Sequence, residues 1–243
     1  MKHILTIFLC ALTIITQAQT YRVSVKQETK ELNLLDIAGA VEVHGISEDE
    51  IRISTLNSPK DTSTKKGAES NNTQLGIHFE QAGNKIVLKG TFTEGAQIQY
   101  RIYVPARLLL SVHAEDNFTK ALLIQKFKGN IDIQTNGDVT IPDLTSGLVL
   151  QNGKGSTTIS IDGKLSDPVS IITQSGNVAL TLPRRMGVDL KLGTGTGNVL
   201  ATLKKGTGTT SVNAKQFTTS LNGGGPKIQI RSVSGNILVL NSM

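Results

Sequence analysis

The phrase TQSGNVALTLP returns as GTGTGNVLATLK and again as SVSGNILVLNSM at the end of the chain. Each copy is a Gly-Asn step followed by alternating apolar residues. Gly155 to Gly176 and Gly176 to Gly197 are both 21 residues, and Gly197 to Gly235 is 38, close to two such intervals. A period near 20 marks units that cannot bury an apolar face alone and must stack to make a core. This recurrence constrains the shape of the chain far more than it constrains any ligand.

Beyond Pro105 the aliphatic residues come in alternating sets: Ile131/Ile133, Val139/Ile141, Leu148/Leu150, Ile159/Ile161, Val178/Leu180/Leu182, Val188/Leu190/Leu192, Ile228/Ile230 and Ile237/Val239. Each set reads as a short strand with one buried face. Between them stand Gly129-Asn130, Asn136-Gly137, Gly155-Ser156, Gly176-Asn177, Gly197-Asn198 and Gly235-Asn236. Glycine and asparagine tolerate positive φ, so these pairs are expected to turn the chain sharply at every coil, with the asparagines stacked in an amide ladder. The expected fold is all-β, a parallel β-helix or β-solenoid with short Gly/Asn turns. An antiparallel β-sandwich is the alternative that the same alternation allows. With aromatics at only 4%, thin coils fit better than a sandwich core, which needs larger fillers.

From Tyr21 to Val104 the segments YRVSVKQ, AVEVHGI, EIRISTLN, LGIHFEQ, KIVLKGTF and QIQYRIYV also alternate, with turn residues at 82–84 and 93–96. A polar stretch over 57–72 interrupts them and reads as a long loop. The expected organisation is therefore a leader over 1–18, an N-terminal β region over 19–105, and coils over 106–243, the last two continuous as one domain. The leader is read from Lys2, the apolar run Ile4–Ile15 and Ala18, a secretory signal pattern that implies export to the periplasm, the cell surface or the medium. Cys10, the single cysteine, lies inside that run, so the processed chain is expected to have neither disulfides nor thiol chemistry. No later segment approaches the ~20 apolar residues of a membrane helix.

The run YRIYVPARLLLSVHAEDNFTKALLIQKFKGNIDIQTNGDVTIPDLTSGLVLQNGKGS, followed by TQSGNVALTLP, GTGTGNVLATL and GGGPKIQIRSVSGNILVL, resembles the exported bacterial family known as putative adhesin. Relatives of that family include head domains of proposed auto-transporter adhesins. The resemblance covers roughly Val41 to Leu240. It implies a right-handed β-solenoid with no established catalytic residue, and a role in surface interaction or adhesion. The alternatives are an envelope protein that is structural or binds a partner, and a carbohydrate-active lyase or glycosidase.

Little in the sequence favours chemistry. His44, His78 and His113 lack metal-ligand spacing, and HAED at 113–116 alternates its groups between two faces. GTGTGN at 193–198 and NGKGS at 152–156 are not followed by helices, so neither is expected to cradle phosphate. Asp132, Asp138 and Asp162, the carboxylates that a glycosidase reading would need, do not follow the period. No catalytic residue, metal or cofactor is expected. The net charge of +6 is spread over separate pairs such as Arg184-Arg185 and Lys204-Lys205, so nucleic acid is not an expected partner. The partner would be an undefined surface ligand or envelope protein. The last strand, GNILVLNSM, is expected either to leave an open edge that pairs with another copy or a partner protein, or to be covered by an N-terminal strand.

Overall fold

A computed structural model describes residues 20–57, 75–91, 98–114, 119–205 and 208–242. The expected leader with Cys10, most of the polar loop over 57–72, the 93–96 turn and part of HAED lie outside these residues. The strands are β1 (Thr20–Ser24), β2 (Glu31–Leu35), β3 (Gly39–Ile46), β4 (Glu50–Thr55), β5 (Ile77–Ala82), β6 (Lys85–Gly90) and β7 (Gln99–Pro105). Then come β8 (Leu109–His113), β9 (Thr119–Gln125), β10 (Ile131–Thr135), β11 (Asp138–Leu144), β12 (Leu148–Asn152), β13 (Thr157–Ile161) and β14 (Val169–Thr173). The last are β15 (Val178–Leu182), β16 (Val188–Thr194), β17 (Val199–Lys205), β18 (Gly208–Ala214), β19 (Gln216–Leu221), β20 (Lys227–Ser232) and β21 (Ile237–Asn241). No helix occurs among the described residues.

The strands form two mixed sheets. Sheet I has the order β1-β4-β7-β3-β9-β11-β13-β15-β21-β17-β18, and sheet II the order β19-β16-β20-β14-β12-β10-β8-β2-β6-β5. Along the body, the chain alternates between sheets, so that each rung is one sheet II strand followed by one sheet I strand. Neighbouring rungs pair in parallel, as β10 does with β12 and β11 with β13. Among the described strands, antiparallel pairs occur only towards the ends, where β1 meets β4, β4 meets β7 and β5 meets β6 at one end, and β16 meets β19 and β17 meets β18 at the other. The antiparallel sandwich is therefore not the architecture of the body, and the sheets are not wholly parallel either. Strands on either side of residue 105 pair directly, β8 with β2 and β9 with β3.

Alternation dictates the packing. Ile131, Ile133, Leu148, Leu150, Val169, Ile171, Ile228 and Ile230 of sheet II share one buried cluster with Val139, Ile141, Ile159, Val178, Leu180, Ile237 and Val239 of sheet I. Removing each such side chain from water contributes about 1.5–3 kcal/mol. Tyr100 of β7 is the largest member; its hydroxyl donates to the Leu75 carbonyl at 2.6 Å, and burial pushes its pKa up. Pro142 cannot donate to the ladder, and the β11–β13 register shifts between Ile141 and Leu144, where it sits.

Stacking does not follow sequence order at the ends. The rung β16–β17 is laid beyond β14–β15, and β20–β21 then fills the space between them. Likewise β2–β3 lies inside β6–β7, and β8–β9 returns to its other side. The last strand, β21, thus pairs with β15 on one side and β17 on the other. It presents no open edge, which corrects the expectation drawn from GNILVLNSM. The edges belong instead to β1 and β18 in sheet I, and to β5 and β19 in sheet II.

Candidate functional site

The glycines and asparagines singled out in the sequence occupy two corners. Gly129 and Asn130 precede β10, at the entry to sheet II, where Asn130 Oδ1 accepts the Gly147 N–H at 3.0 Å. Asn136-Gly137, Gly176-Asn177, Gly197-Asn198 and Gly235-Asn236 all precede sheet I strands. None of these residues has positive φ, which among the described non-glycine residues is confined to Asp36, Lys126 and Asn222. The reason for glycine is close approach. A Cβ on Gly176 would lie 1.8 Å from the Gly155 carbonyl oxygen, one on Gly235 2.0 Å from that of Gly176, and one on Gly197 2.2 Å from that of Gly235. Gly137, Gly155, Gly176, Gly235 and Gly197 thus form a column in which each backbone rests on the last.

The asparagines beside them form a ladder from side chain to backbone rather than from amide to amide. Asn236 N–H donates to Asn177 Oδ1, and Asn198 N–H to Asn236 Oδ1, both at 2.9 Å. Asp138 takes the same place beside β11, its Oδ1 accepting the Ser156 N–H at 2.8 Å. Asp138 is thus part of the corner. At the column's end the Lys215 ammonium donates to the Thr196 and Gly197 carbonyls.

One set of corner residues escaped the sequence reading. Thr135, Asn152, Thr173, Ser232 and Thr194, the last residues of β10, β12, β14, β20 and β16, stand in register across sheet II and are all buried. Their side-chain oxygens satisfy the turn: Gly155 N–H donates to Asn152 Oδ1 (3.0 Å), Gly235 N–H to Ser232 Oγ (2.7 Å) and Gly197 N–H to Thr194 Oγ1 (3.2 Å). Their signal is a Thr, Ser or Asn three residues before the glycine, as in TQSG, TGTG and SVSG. The interval is two residues at Thr135, whose Oγ1 accepts the Gly137 N–H at 3.1 Å.

Titratable groups converge on the outer face of sheet I. Strand register places Arg52, Tyr103, His44 and Gln125 in one row across β4, β7, β3 and β9, with Arg101 and Glu42 in the adjacent row. Arg101 Nε donates to Glu42 Oε2 at 2.8 Å, and His44 Nε2 lies 3.5 Å from the same oxygen and 3.2 Å from Gln125 Nε2. The Arg52 guanidinium sits 4.7 Å from the Tyr103 ring centroid, and the His44 ring 5.1 Å from it. Arg52 Nε is 3.0 Å from Glu50 Oε1, without the alignment of a hydrogen bond. Burial alone would raise the Glu42 carboxyl, but hydrogen bonding and charge from Arg101, then from His44, outweigh it and hold the pKa below its ordinary value. Such a carboxylate stays ionised and engaged, a poor general acid and a weak base. The two rows thus set the Glu42–Arg101 pair and the Arg52 guanidinium around His44 and Tyr103.

The other candidates stay apart. His78 is on β5 and His113 at the end of β8, and no group of three or more His, Cys, Asp or Glu among the described residues could hold a metal. Asp132 lies outward on β10, while Asp162 follows β13.

No family model matches the chain, and no curated protein does. Its fold does match solved structures. A putative cell adhesion protein from Clostridium sporogenes ATCC 15579 superposes with a TM-score of 0.53 at 16% identity, over 93% of this chain and 100% of that one. A putative adhesin from Bacteroides fragilis NCTC 9343 gives a TM-score of 0.41 at 13% identity, over 93% and 98% of the two chains. The likeness to the Clostridium sporogenes protein is one of fold.

Proposed function

We propose that this chain is an exported, non-enzymatic surface-interaction module, an adhesin built on a right-handed β-solenoid. The observation that carries the reading is the end-to-end likeness of fold to the Clostridium sporogenes protein, whose description is putative cell adhesion protein. Three features support it. Successive rungs pair in parallel over one aliphatic core, as coils of a solenoid would. The corner columns hold those rungs in register without needing a ligand. The Glu42 carboxylate in the cluster on sheet I is engaged by Arg101 and His44, which fits a binding face better than a catalytic one. Export is supported by the secretory pattern of residues 1–18.

Protease shaving of intact cells, with a periplasmic protein as leakage control, tests location. Loss of the chain's signal places it outside, and protection moves it to an envelope role. Display of the chain on a non-adherent bacterium tests adhesion itself, with retention on host-cell or matrix-coated surfaces expected to rise. Retention no higher than that of the undisplayed strain would contradict the reading.

A further inference from the structure

The outer face of sheet II carries a groove of about 690 Å³ beside β16 and β20. Its floor is Gly193, and strand register sets Arg231 of β20 on one side of that glycine and Gln216 of β19 on the other. Ile172 continues the same row beyond Arg231. Gly193 has no conformational or packing reason to be glycine. Its φ is not positive, and an added Cβ would meet only Gln216 Cγ, at 3.9 Å. The missing side chain is what opens the groove.

The walls combine two chemistries. Ile172 and Val233 are 47% and 62% exposed, Val233 being the most open of the large apolar side chains among the described residues. Lys191 and Arg231 are exposed on the same face, about 8 Å apart at the Cα positions from strand spacing and rise. Neither makes an ion pair with a described residue. Asp189, the carboxylate on that face of β16, accepts instead from Ser220 Oγ at 2.5 Å. Two cations outside any ion pair thus flank an open slot with apolar side chains beside it. A guanidinium fork matches the two oxygens of a carboxylate, and the lysine adds a point charge. Exposed aliphatics suit the C–H faces of a sugar ring, while Gln216 can meet its hydroxyls.

We propose that this groove binds an acidic polysaccharide of the uronate class, a carboxylate seated between Arg231 and Lys191 with its ring over Gly193. The inference deepens the surface-interaction reading above by giving it a ligand. The test is calorimetric titration of the purified protein with oligogalacturonate, alongside the matched neutral oligosaccharide and poly-glutamate. Saturable binding of oligogalacturonate is expected, weakened about tenfold or more in Arg231→Gln and in the slot-filling Gly193→Leu. Circular dichroism on both variants confirms that the fold is kept, and Lys191→Gln, which removes the second cation of the slot, should weaken binding as well. Absence of oligogalacturonate binding, equal binding of the neutral sugar or of poly-glutamate, or full affinity in folded Gly193→Leu would each overturn the proposal. Oligogalacturonate binding without cell retention would leave the groove standing and sink adhesion alone, and retention without it would do the reverse.

Discussion

A single missing carbon decides whether neighbouring rungs can touch. At Gly176 the Gly155 carbonyl oxygen occupies the space a Cβ would need, whereas at Gly193 that space is open. Gly176→Ala should therefore cost about 1–3 kcal/mol by forcing two backbones apart, and Gly193→Ala should be neutral or slightly stabilising, since it only restricts the unfolded chain. Urea melts of the two variants check this, and an equal effect would mean that the column is not in contact. Glu42 supplies a second prediction at this scale. Its folded pKa is depressed below the ordinary 4.5, so the stability it contributes is complete above that pH and is lost as pH falls through the folded value. The stability gap between the native protein and Glu42→Gln should close on acidification below about pH 4.5, and a gap independent of pH would rule out the Arg101 pairing as its source. The corner glycines were visible in the sequence but for the wrong reason. Positive φ is a property of one residue, while close approach belongs to a pair on different rungs, which a single stretch cannot display.

Strands with two or three inward aliphatics were legible because both their neighbours and the opposite sheet demand a regular apolar face. Strands at the ends were not. GTTSVNA of β18 has almost no burial to record, and β19 has little more, since each covers the stack from one side only. ELNLL of β2 also has two inward residues, Leu32 and Leu34, but the outward Leu35 beside them blurs the alternation. The elements at the C-terminal end depend on β21, which supplies buried Ile237 and Val239 and pairs on both sides. Deleting residues 237–243 should remove about 3 kcal/mol or more of apolar burial and separate β15 from β17. Limited proteolysis should then cut within 188–232 much faster than in the intact protein. Unchanged protease resistance, with the truncated chain as stable as the full one, would mean that the last strand is peripheral.

At the scale of the molecule, the order of the rungs was the feature least available from sequence. Each rung offers similar aliphatic side chains at similar positions, so β20–β21 fits beside β14–β15 as well as β16–β17 would. The 38-residue interval between Gly197 and Gly235 looked like two further coils, but it holds the antiparallel end strands β18 and β19 and the return of the chain into the stack. Placing the ends this way flanks the parallel body with antiparallel strands and leaves β21 inside sheet I. It also makes the groove, because Arg231 reaches the side of Gly193 only when β20 lies between β14 and β16. Cysteine cross-linking in a Cys10→Ser background tests this arrangement most directly. Gln229→Cys with Lys191→Cys, on adjacent strands in register, should oxidise to a disulfide in high yield, as should Gln229→Cys with Ser170→Cys. Ser170→Cys with Lys191→Cys, two strands apart at about 9.6 Å, is too far to bridge. Efficient closure of that last pair, with failure of the first two, would put β16 directly beside β14 and contradict the threaded order.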